Sequence, residues 1–347
     1  MLSKKQVAEI QEHLEKAQNP IFFFDNDPDG LCSFLLLQRF IKRGKGIPIK
    51  SFPEMNAEYF RKVNELNADY IFILDKPVVS REFFEEVKSF NIPIIWIDHH
   101  KTDQTFVPNY VHYYNSALTK TKNKNEPVTY LCYKITNKKE DLWVAVVGCI
   151  SDRFVPDFYF YFQKLYPDMS IRSKDAFDIF YKSAIGTVAK MFSFGLKDTM
   201  TNVMKMIRFL TIVKTPYEVL EEGKTNQEMH HKFKQITQKY SKLIEKAKSL
   251  VCDNKVLFFQ YSGDLSISSD LSNELNYLFP EKVIVVVYIT GIKANISVRG
   301  NKIRNLVLKA IDGIEGATGG GHENAVGGQL RVEDIEKFRE NLENLIN

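Results

Sequence analysis

The chain has 347 residues, a formal net charge of +4, and apolar and charged fractions of 44% and 26%. This length exceeds that of one ordinary hydrophobic core, so we expect two domains of ~100–200 residues each. The two fractions are typical of a soluble globular protein. The small positive charge is compatible with an anionic ligand but does not require one.

Cysteine spacing and the length of the apolar runs exclude several classes of protein. The four cysteines are Cys32, Cys132, Cys149 and Cys252. They have no Cys-x-x-Cys spacing, which argues against a zinc finger or a disulfide scaffold, and we predict that they are small core residues. Met1–Gln18 lacks the apolar segment of a signal peptide, and the longest apolar run, Val283–Ile289, is too short to cross a membrane. We therefore expect a soluble, cytoplasmic protein that does not bind membranes.

Helical and extended patterns alternate in the N-terminal part of the chain. In chain order we predict a helix at residues 4–17, a strand at 21–24, a helix at 31–40, a strand at 48–52, a helix at 56–66, a strand at 70–74, a helix at 80–90 and a strand at 92–97. Strands that alternate with helices indicate a parallel, doubly wound α/β sheet. Ligands of such sheets bind beyond the carboxyl ends of the strands.

Three segments in the middle of the chain have less regular patterns. Residues 119–125 are rich in Lys, Asn and Thr and predict an exposed loop. The apolar segment 142–150 is either a strand or a buried helix, because its length does not decide between them. Residues 154–166 are dense in aromatic side chains, which either pack on a neighbouring domain or subunit or stack on bases.

The remaining residues predict a helical region and then a second, smaller α/β domain. Residues 175–250 are mostly helical in pattern, and we expect a long lysine-rich helix at 227–250 to bridge two domains. Beyond it we predict strands at 255–260, 283–289 and 293–299 and helices at 268–279, at 301–311 and from 332, with a short strand directly before the last helix. We place the first domain at residues 1–165, a helical connector at 166–250 and the C-terminal domain at 251–347.

Acidic residues follow three of the predicted strands. Asp25–Gly30 (DNDPDG) follows the first strand, and Asp75 and Asp98–His100 each follow a later one. Because the carboxyl ends of parallel strands lie along one edge of a sheet, we expect these groups to meet there. A fourth aspartate, Asp152, follows the apolar segment 142–150.

The first of these motifs has two interpretations when it is taken alone. In an extended backbone Asp25, Asp27 and Asp29 share one face and converge, and a bound cation would relieve their repulsion. Alternatively the segment is an acidic β-turn, because Asp, Pro and Gly are common in turns. The matching groups elsewhere in the chain favour the cation site.

The combined set supplies enough ligands for two metal ions. Its members are Asp25, Asp27, Asp29, Asp75, Asp98, His99, His100 and Asp152. Carboxylates with one or two imidazoles suit Mn²⁺ or Mg²⁺. Two such ions ~3.5–4 Å apart can bridge a phosphate, activate a water and stabilise the leaving oxygen of a phosphodiester. Asp75 is our candidate for the carboxylate that both ions share. Because adjacent strand residues point to opposite faces, we expect one histidine to bind metal and the other to contact phosphate or transfer a proton.

A second candidate site lies near the C-terminus, in the glycine-rich segment 316–328. Its consecutive glycines let backbone amides approach an anion closely, and a helix that starts beyond them would add a positive dipole end. A nearby arginine could bind phosphate with two hydrogen bonds. The residues concerned are Ser297, Arg299, Gly319, Gly320, Gly321 and His322. A flexible loop is the alternative; beside the acidic set, we predict a substrate clamp that faces the metals across a cleft between the domains.

The ordered motifs resemble those of the DHH phosphoesterases. Asp25–Gly30, Asp75, Asp98–His100 and Asp152 match the four motifs in order, and Gly319–His322 is similar to the signature of the DHH-associated C-terminal domain. The resemblance covers nearly the whole chain. It implies two α/β domains, a helical connector and a manganese-dependent site in the cleft between the domains.

The first motif, which is followed by Ser33, is similar to that of the RecJ-like single-strand exonucleases. The oligoribonuclease and cyclic-dinucleotide branches more often begin with an upstream histidine set, and this chain has none of that kind before Asp25. Two departures from the family pattern stand out. Ser151 occupies a position where many relatives have Gly, and the chain lacks the extra nucleic-acid-binding domain of bacterial RecJ, which favours short oligonucleotides as substrates.

The resemblance also implies roles for individual residues. The metal ligands are then Asp25, Asp27, Asp29, Asp75, His99 and Asp152, which hold two Mn²⁺ ions, with Mg²⁺ as an alternative. His100 and Asp98 support the chemistry, and the substrate phosphate is held by Arg299, Gly320, Gly321 and His322.

The leading interpretation is a Mn²⁺-dependent exonuclease that acts on single-stranded DNA or RNA, or on short oligonucleotides. One alternative is a phosphatase or phosphodiesterase of small nucleotides such as 3′-phosphoadenosine phosphate or a cyclic dinucleotide. A pyrophosphatase fits less well, since that branch has a different C-terminal domain. Another alternative is a non-catalytic replication or repair subunit, which the intact ligand set disfavours. A replication or repair protein partner and a homodimer are both compatible with these interpretations.

Overall fold

The computed structural model describes residues 2–50, 54–101, 106–118 and 126–346. The chain divides into two compact units, Met1–Phe233 and Lys234–Asn347. The division falls inside one long helix. The domain boundaries at residues 165 and 250 stay a prediction. The loop predicted at 119–125 and the end of the strand predicted at 48–52 lie outside the described residues.

The first unit is built on a parallel sheet. Its strands are β1 (Pro20–Asp25), β2 (Lys45–Ile49), β3 (Tyr70–Leu74), β4 (Ile94–Asp98) and β5 (Val111–Asn115). They lie in the order β2-β1-β3-β4-β5. Phe22 and Phe24 of β1 pack in one hydrophobic core, and Ile21 and Phe23 pack in another. Both faces of the sheet are therefore buried, which is the doubly wound arrangement that the alternating patterns predicted.

Helices cover both faces of this sheet. The α-helices from residue 4 to residue 248 are, in chain order, α1 (Lys4–Lys16), α2 (Pro28–Ile41), α3 (Phe60–Glu65), α4 (Arg81–Ser89), α5 (Val128–Thr136), α6 (Leu142–Ser151), α7 (Tyr159–Leu165), α8 (Ala176–Lys182), α9 (Ala184–Gly195), α10 (Met200–Ile212), α11 (Pro216–Leu220) and α12 (Gln227–Lys248). On one face, α2, α5 and α6 pack together, and α3 and α4 cover the other. The ambiguous segment 142–150 is α6, a helix that is apolar all round because it is buried all round.

The second unit contains a mixed sheet. Its strands are β6 (Val256–Ser262), β7 (Val283–Thr290), β8 (Lys293–Arg299), β9 (Thr318–His322) and β10 (Ala325–Arg331), and its helices are α13 (Ser268–Leu278), α14 (Arg304–Ile311) and α15 (Ile335–Ile346). The strand order is β6-β7-β8-β10-β9, with β6 and β7 parallel and the other pairs antiparallel. The predicted α/β class of both units is confirmed. No described helix has the length and apolarity that crossing a bilayer demands.

Several local predictions were wrong. The glycine-rich segment is a hairpin of β9 and β10, with no helix start directly after its glycines. Because α2 begins at Pro28, Asp29 is helical rather than extended. Cys252 is exposed, while the other three cysteines are buried as predicted. The strand β5 and the helix α5 were not predicted at all.

Candidate active site

The candidate metal ligands of the first unit come from neighbouring strand ends. Asp25 ends β1, Asp75 follows β3, and Asp98 ends β4. These three strands are adjacent in the sheet, so their carboxyl ends bring the groups to one edge, as predicted. Asp152 follows the last residue of α6 and reaches the same group of residues, since its Oδ2 lies 3.8 Å from His99 Nδ1.

The first motif is a tight passage from strand to helix. Asp27 is the N-cap of α2, and its side chain accepts a hydrogen bond from the Gly30 amide at 2.9 Å. A Cβ on Gly30 would lie 2.4 Å from the Asp25 carbonyl oxygen, so the close approach of strand and helix requires glycine. The three aspartates therefore do not alternate along an extended backbone, which corrects the reason given for their convergence.

Asp29 is held by α5, an element that the sequence patterns did not reveal. Its carboxylate accepts hydrogen bonds from the backbone amides of Val128 and Thr129 at 2.9 and 2.8 Å. The Thr129 hydroxyl also donates to the Asp29 carbonyl oxygen at 2.9 Å. Gly148 lets α6 pack closely here, because a Cβ at that position would lie 2.2 Å from Thr129 Oγ1.

His99 lies at the centre of the acidic group. Its Nε2 is 3.3 Å from Asp75 Oδ1 and 3.9 Å from Asp29 Oδ2, and its ring is almost completely buried. Two sets of donors lie within 4.8 Å of one another: one set is Asp75, His99 and His100, and the other is Asp29, His99 and Asp152. Each set has the carboxylate and imidazole donors that Mn²⁺ or Mg²⁺ accepts.

Two oxygens in these sets support a metal-binding role. Asp75 Oδ1 and Asp152 Oδ2 are buried, and neither has a hydrogen-bond partner within the described parts of the chain. A buried carboxylate oxygen without a partner is costly, so proteins normally pair it or bind a cation with it. The residues present therefore fit divalent cations.

His100 is oriented by Asp98. Its Nδ1 is 2.8 Å from Asp98 Oδ1, and its backbone amide donates to Asp98 Oδ2 at 3.2 Å. Asn115, which was not predicted, donates to Asp98 Oδ2 at 3.0 Å and to the His100 carbonyl oxygen at 2.9 Å. The Tyr113 hydroxyl is 3.5 Å from the same Oδ2. Asp98 is fully buried, and its carboxylate makes four of these contacts. It therefore fixes the orientation of the His100 ring.

The two histidine rings both approach Asp75, which differs from the prediction. Their centroids are 4.4 Å apart, and His100 Nδ1 lies 3.8 Å from Asp75 Oδ1. The prediction assumed that adjacent side chains point in opposite directions, as they do along a strand. Both histidines lie beyond the end of β4, so this alternation does not apply to them. Asp75 itself has φ +59°, in the left-handed region that few residues other than glycine adopt. Such strain is common where a side chain must be held at a functional site.

Burial and mutual repulsion raise the pKa values of the acidic groups. Burial, with the charges of Asp25 and Asp29, raises the pKa of Asp27 to about 7. Burial also raises the pKa of Asp29, although hydrogen bonds from Thr129 oppose it. The pKa values of Asp75 and Asp152 are raised by burial and then by neighbouring aspartates. Without cations, the site therefore favours protonated carboxyl groups.

Neighbouring carboxylates raise the pKa of His100 in the site without metal. Burial lowers it, but the hydrogen bond to Asp98 and the charges of Asp98, Asp152 and Asp25 outweigh burial and raise it to about 9. In the metal-free site, His100 is therefore an imidazolium at neutral pH. Bound cations would bring this pKa down toward neutrality, where a histidine both donates and accepts protons.

Lys76 is a second residue that the sequence patterns did not identify. It directly follows Asp75 and is fully buried. Its Nζ lies 3.8 Å from Asp25 Oδ1 and donates to the Lys50 carbonyl oxygen at 2.5 Å. Burial lowers its pKa, while the charges of Asp25 and Asp75 oppose that shift. Its position immediately after a strand-end aspartate was the one signal available in the sequence.

In the second unit, the polar candidates on β8 are committed to local contacts. Arg299 is buried and donates from Nε to Asn273 Oδ1 at 2.6 Å and from Nη2 to Ser269 Oγ at 2.9 Å. Its Nη1 donates to the backbone carbonyl oxygens of Val298 and Val326. Ser297 Oγ is 3.0 Å from Ser268 Oγ. These contacts fasten α13 to the sheet.

The glycine-rich strand β9 is exposed along its whole length and is the last strand in the order of its sheet. Gly321 has φ +137°, and a Cβ there would lie 2.4 Å from the Ala325 carbonyl oxygen, so glycine is required. At Gly320 a Cβ would meet no atom within 4 Å. Packing among the described residues therefore does not explain why residue 320 is a glycine.

Family models match both units of the chain. Residues 21–150 match the DHH family, N-terminal domain, and residues 253–347 match the DHHA1 domain. The two matches together cover more than half of the chain. The chain belongs to the DHH family. Members of this family are metal-dependent phosphoesterases, and the match confirms the resemblance carried by the ordered motifs.

Solved structures share the fold at low sequence identity. RecJ from Thermus thermophilus in complex with Mn²⁺ is 16% identical, with a TM-score of 0.70 over 99% of this chain and 55% of that one. An exonuclease RecJ bound to manganese is 16% identical, with a TM-score of 0.63 over 99% of this chain and 95% of that one. CDC45 from Entamoeba histolytica is 10% identical, with a TM-score of 0.51 over 98% of each chain.

These similarities establish the fold class. This DHH-family chain has a RecJ-like fold, and it spans about half the length of the Thermus protein. No curated protein sequence matches it.

Proposed function

We propose that this DHH-family chain is a metal-dependent phosphodiesterase that removes nucleotides from single-stranded nucleic acid or short oligonucleotides. The observation that carries the proposal is the buried donor group around His99, in which oxygens of Asp75 and Asp152 have no hydrogen-bond partner within the described residues. Membership of the family supports phosphoester chemistry, and the RecJ-like fold supports a nucleic acid substrate.

We assign the metal ligands to the set implied by the motifs. Its members are Asp25, Asp27, Asp29, Asp75, His99 and Asp152. We propose Mn²⁺ as the preferred ion and two ions per chain, with Mg²⁺ as a substitute, because the donors are mostly carboxylate oxygens. When bound, such ions activate a water and stabilise charge on the phosphate. The manganese in the RecJ structures supports this choice of ion.

Side chains of this chain orient the group that transfers a proton. Asp98 accepts the His100 Nδ1 hydrogen, and Asn115 holds Asp98 in place. His100 Nε2 is then the ring atom that donates a proton to a phosphate oxygen or to the leaving oxygen. With cations bound, a His100 pKa near neutrality suits this donation.

We propose that the second unit binds substrate phosphates. An edge strand presents backbone amides on its open side, and three consecutive glycines allow an anion to approach them closely. His322 is exposed at the end of the same strand. In this proposal Arg299 and Ser297 contribute through the fixed position of β8 and α13, and a direct phosphate contact by either residue stays a prediction.

A parallel assay series tests the function. The metal-free chain is supplied with Mn²⁺ and given labelled single-stranded DNA, single-stranded RNA, a dinucleotide, a cyclic dinucleotide and 3′-phosphoadenosine phosphate. We expect release of mononucleotides from the strands or the dinucleotide. Hydrolysis confined to the last two compounds would replace the proposal with a small-nucleotide phosphoesterase. Strand binding without hydrolysis of any compound would indicate a non-catalytic subunit.

A replication or repair protein partner and a homodimer stay proposals. The mass of the chain in solution, measured by light scattering, tests the homodimer directly.

A further inference from the structure

Lys76 places an ammonium group inside the candidate metal site. The side chain is fully buried, and its Nζ lies 3.8 Å from Asp25 Oδ1. Burying an ammonium group is costly unless it is paired and hydrogen-bonded. Here Nζ donates to the Lys50 carbonyl oxygen at 2.5 Å and faces the Asp25 carboxylate, so both conditions are met.

The backbone of Lys76 is held as firmly as its side chain. The indole Nε1 of Trp96, which is itself fully buried, donates to the Lys76 carbonyl oxygen at 2.8 Å. The preceding residue, Asp75, is in the left-handed conformation, and its amide donates to the Ile97 carbonyl oxygen at 3.0 Å. The lysine is therefore part of the architecture that positions Asp75.

Asp29, Asp75 and Asp152 converge around His99. Among the described residues, the donor sets that lie within 4.8 Å of one another both contain His99, and neither contains Asp25. Among the residues that the structure describes, Asp25 is the strand-end aspartate that has an ammonium group beside it. A divalent cation that uses Asp25 must share this carboxylate with Lys76 and is repelled by the like charge.

We propose that Lys76 is a built-in counter-cation for Asp25, and that it makes the metal ion bound through Asp25 weaker than the ion bound around His99. The inference rests on the proposed function only in that the site binds divalent cations. The chain then loads its two ions in sequence, and full occupancy depends on the concentration of the free ion.

A metal titration without substrate tests this. The metal-free chain is titrated with Mn²⁺, bound ions are counted from the electron paramagnetic resonance signal of free Mn²⁺, and the spectrum of coupled ion pairs reports double occupancy. We expect one tight ion and a second whose Kd is at least about tenfold higher. In Lys76→Met, which keeps most of the apolar stem and removes the charge, we expect the second Kd to fall by about tenfold and coupled pairs to form earlier in the titration.

A matched control and a second variant make the outcome decisive. Lys62→Met removes an exposed ammonium that pairs with Glu65, and it should change neither Kd. Asp25→Asn should leave the tight ion in place and abolish the second, which keeps the test valid if Lys76→Met fails to fold. An unchanged second Kd in Lys76→Met, or loss of the tight ion in Asp25→Asn, would overturn the proposal. Because no substrate is present, a chain that binds both ions but hydrolyses nothing would refute the proposed function alone.

Discussion

The two candidate regions of this chain differ in whether side chains or the backbone supply the binding groups. At the acidic edge of the first unit, the chemistry lies in buried side chains, such as Asp98 and His99, that are braced by neighbouring elements. In the glycine-rich strand β9, every residue is exposed, and the chemistry available is mostly that of the backbone. Buried side chains can hold ions in a fixed geometry, whereas exposed amides suit a group that every nucleotide carries, the phosphate. We therefore expect changes in the first region to affect turnover and changes in the second to affect binding.

The largest effect should come from Asp75→Asn. The change removes the charge of a buried carboxylate that approaches both histidines, and we expect turnover to fall by at least about a thousandfold. Initial rates on a labelled oligonucleotide in Mn²⁺ measure this. Asp157→Asn, at an exposed aspartate that pairs with Lys134, is the matched control and should keep normal rates. Activity within tenfold of the parent chain would remove Asp75 from the metal site.

A smaller loss of turnover should follow from Asn115→Ala. Asn115 acts through Asp98 on His100, and removal of a group that orients a ligand or proton donor typically costs about 10–100-fold. We expect kcat to fall while KM changes little. Tyr113→Phe removes a longer contact to the same carboxylate and should have a weaker effect. An increase in KM at constant kcat would instead assign Asn115 to substrate binding.

The acidic edge could be predicted from the sequence because strand ends are local features. Asp75 and Asp98 each follow a continuous apolar run, and the parallel sheet then brings them together. The contacts that brace the site could not be predicted in this way. Asp29 is held by Thr129, a hundred residues further along the chain, and that pairing depends on how α5 packs. The position of Lys76 beside Asp25 likewise depends on the left-handed turn at Asp75.

The glycine-rich hairpin could not be predicted for a different reason. Glycine has low strand propensity, and a run of glycines has no alternation of apolar and polar side chains to reveal a strand. The backbone of β9 forms a strand because it pairs with β10, with Gly320 opposite Gly327. The segment 316–328 was therefore interpreted as a glycine-rich turn or loop with a short strand after it, although β9 and β10 both begin inside it.

The pairing of Gly320 with Gly327 allows a matched test of the proposed role of β9. A Cβ at either Gly320 or Gly327 would meet no atom within 4 Å, so alanine is tolerated at both positions. We expect Gly320→Ala to weaken oligonucleotide binding by about 2–10-fold, since it hinders one or two amide contacts on the edge strand. Gly327→Ala, on the inner strand β10, should bind normally. Equal affinity of the two variants in a fluorescence anisotropy titration with Mn²⁺ would contradict a role for β9 in binding.

The smallest expected effect is on stability, which should depend on pH because of the titratable groups at the acidic edge. The folded-state pKa values of Asp27, Asp75 and Asp152 are raised, that of Asp27 to about 7, and that of His100 is raised to about 9. A group whose pKa is raised by folding stabilises the fold below its unfolded pKa and loses that contribution as the pH rises through the folded pKa. The Tm of the metal-free chain should therefore fall by several degrees between about pH 5.5 and about pH 8.5.

Addition of Mn²⁺ should remove this fall, because bound cations favour the ionised carboxylates. In Asp75→Asn the metal-free fall should also be smaller, since one of the raised carboxyl groups is absent and its repulsion of the others is lost. Thermal unfolding followed by circular dichroism measures both curves. A Tm that rises with pH in the absence of metal would show that the carboxylates of this edge are already compensated within the protein, and that divalent cations are not needed to hold them together.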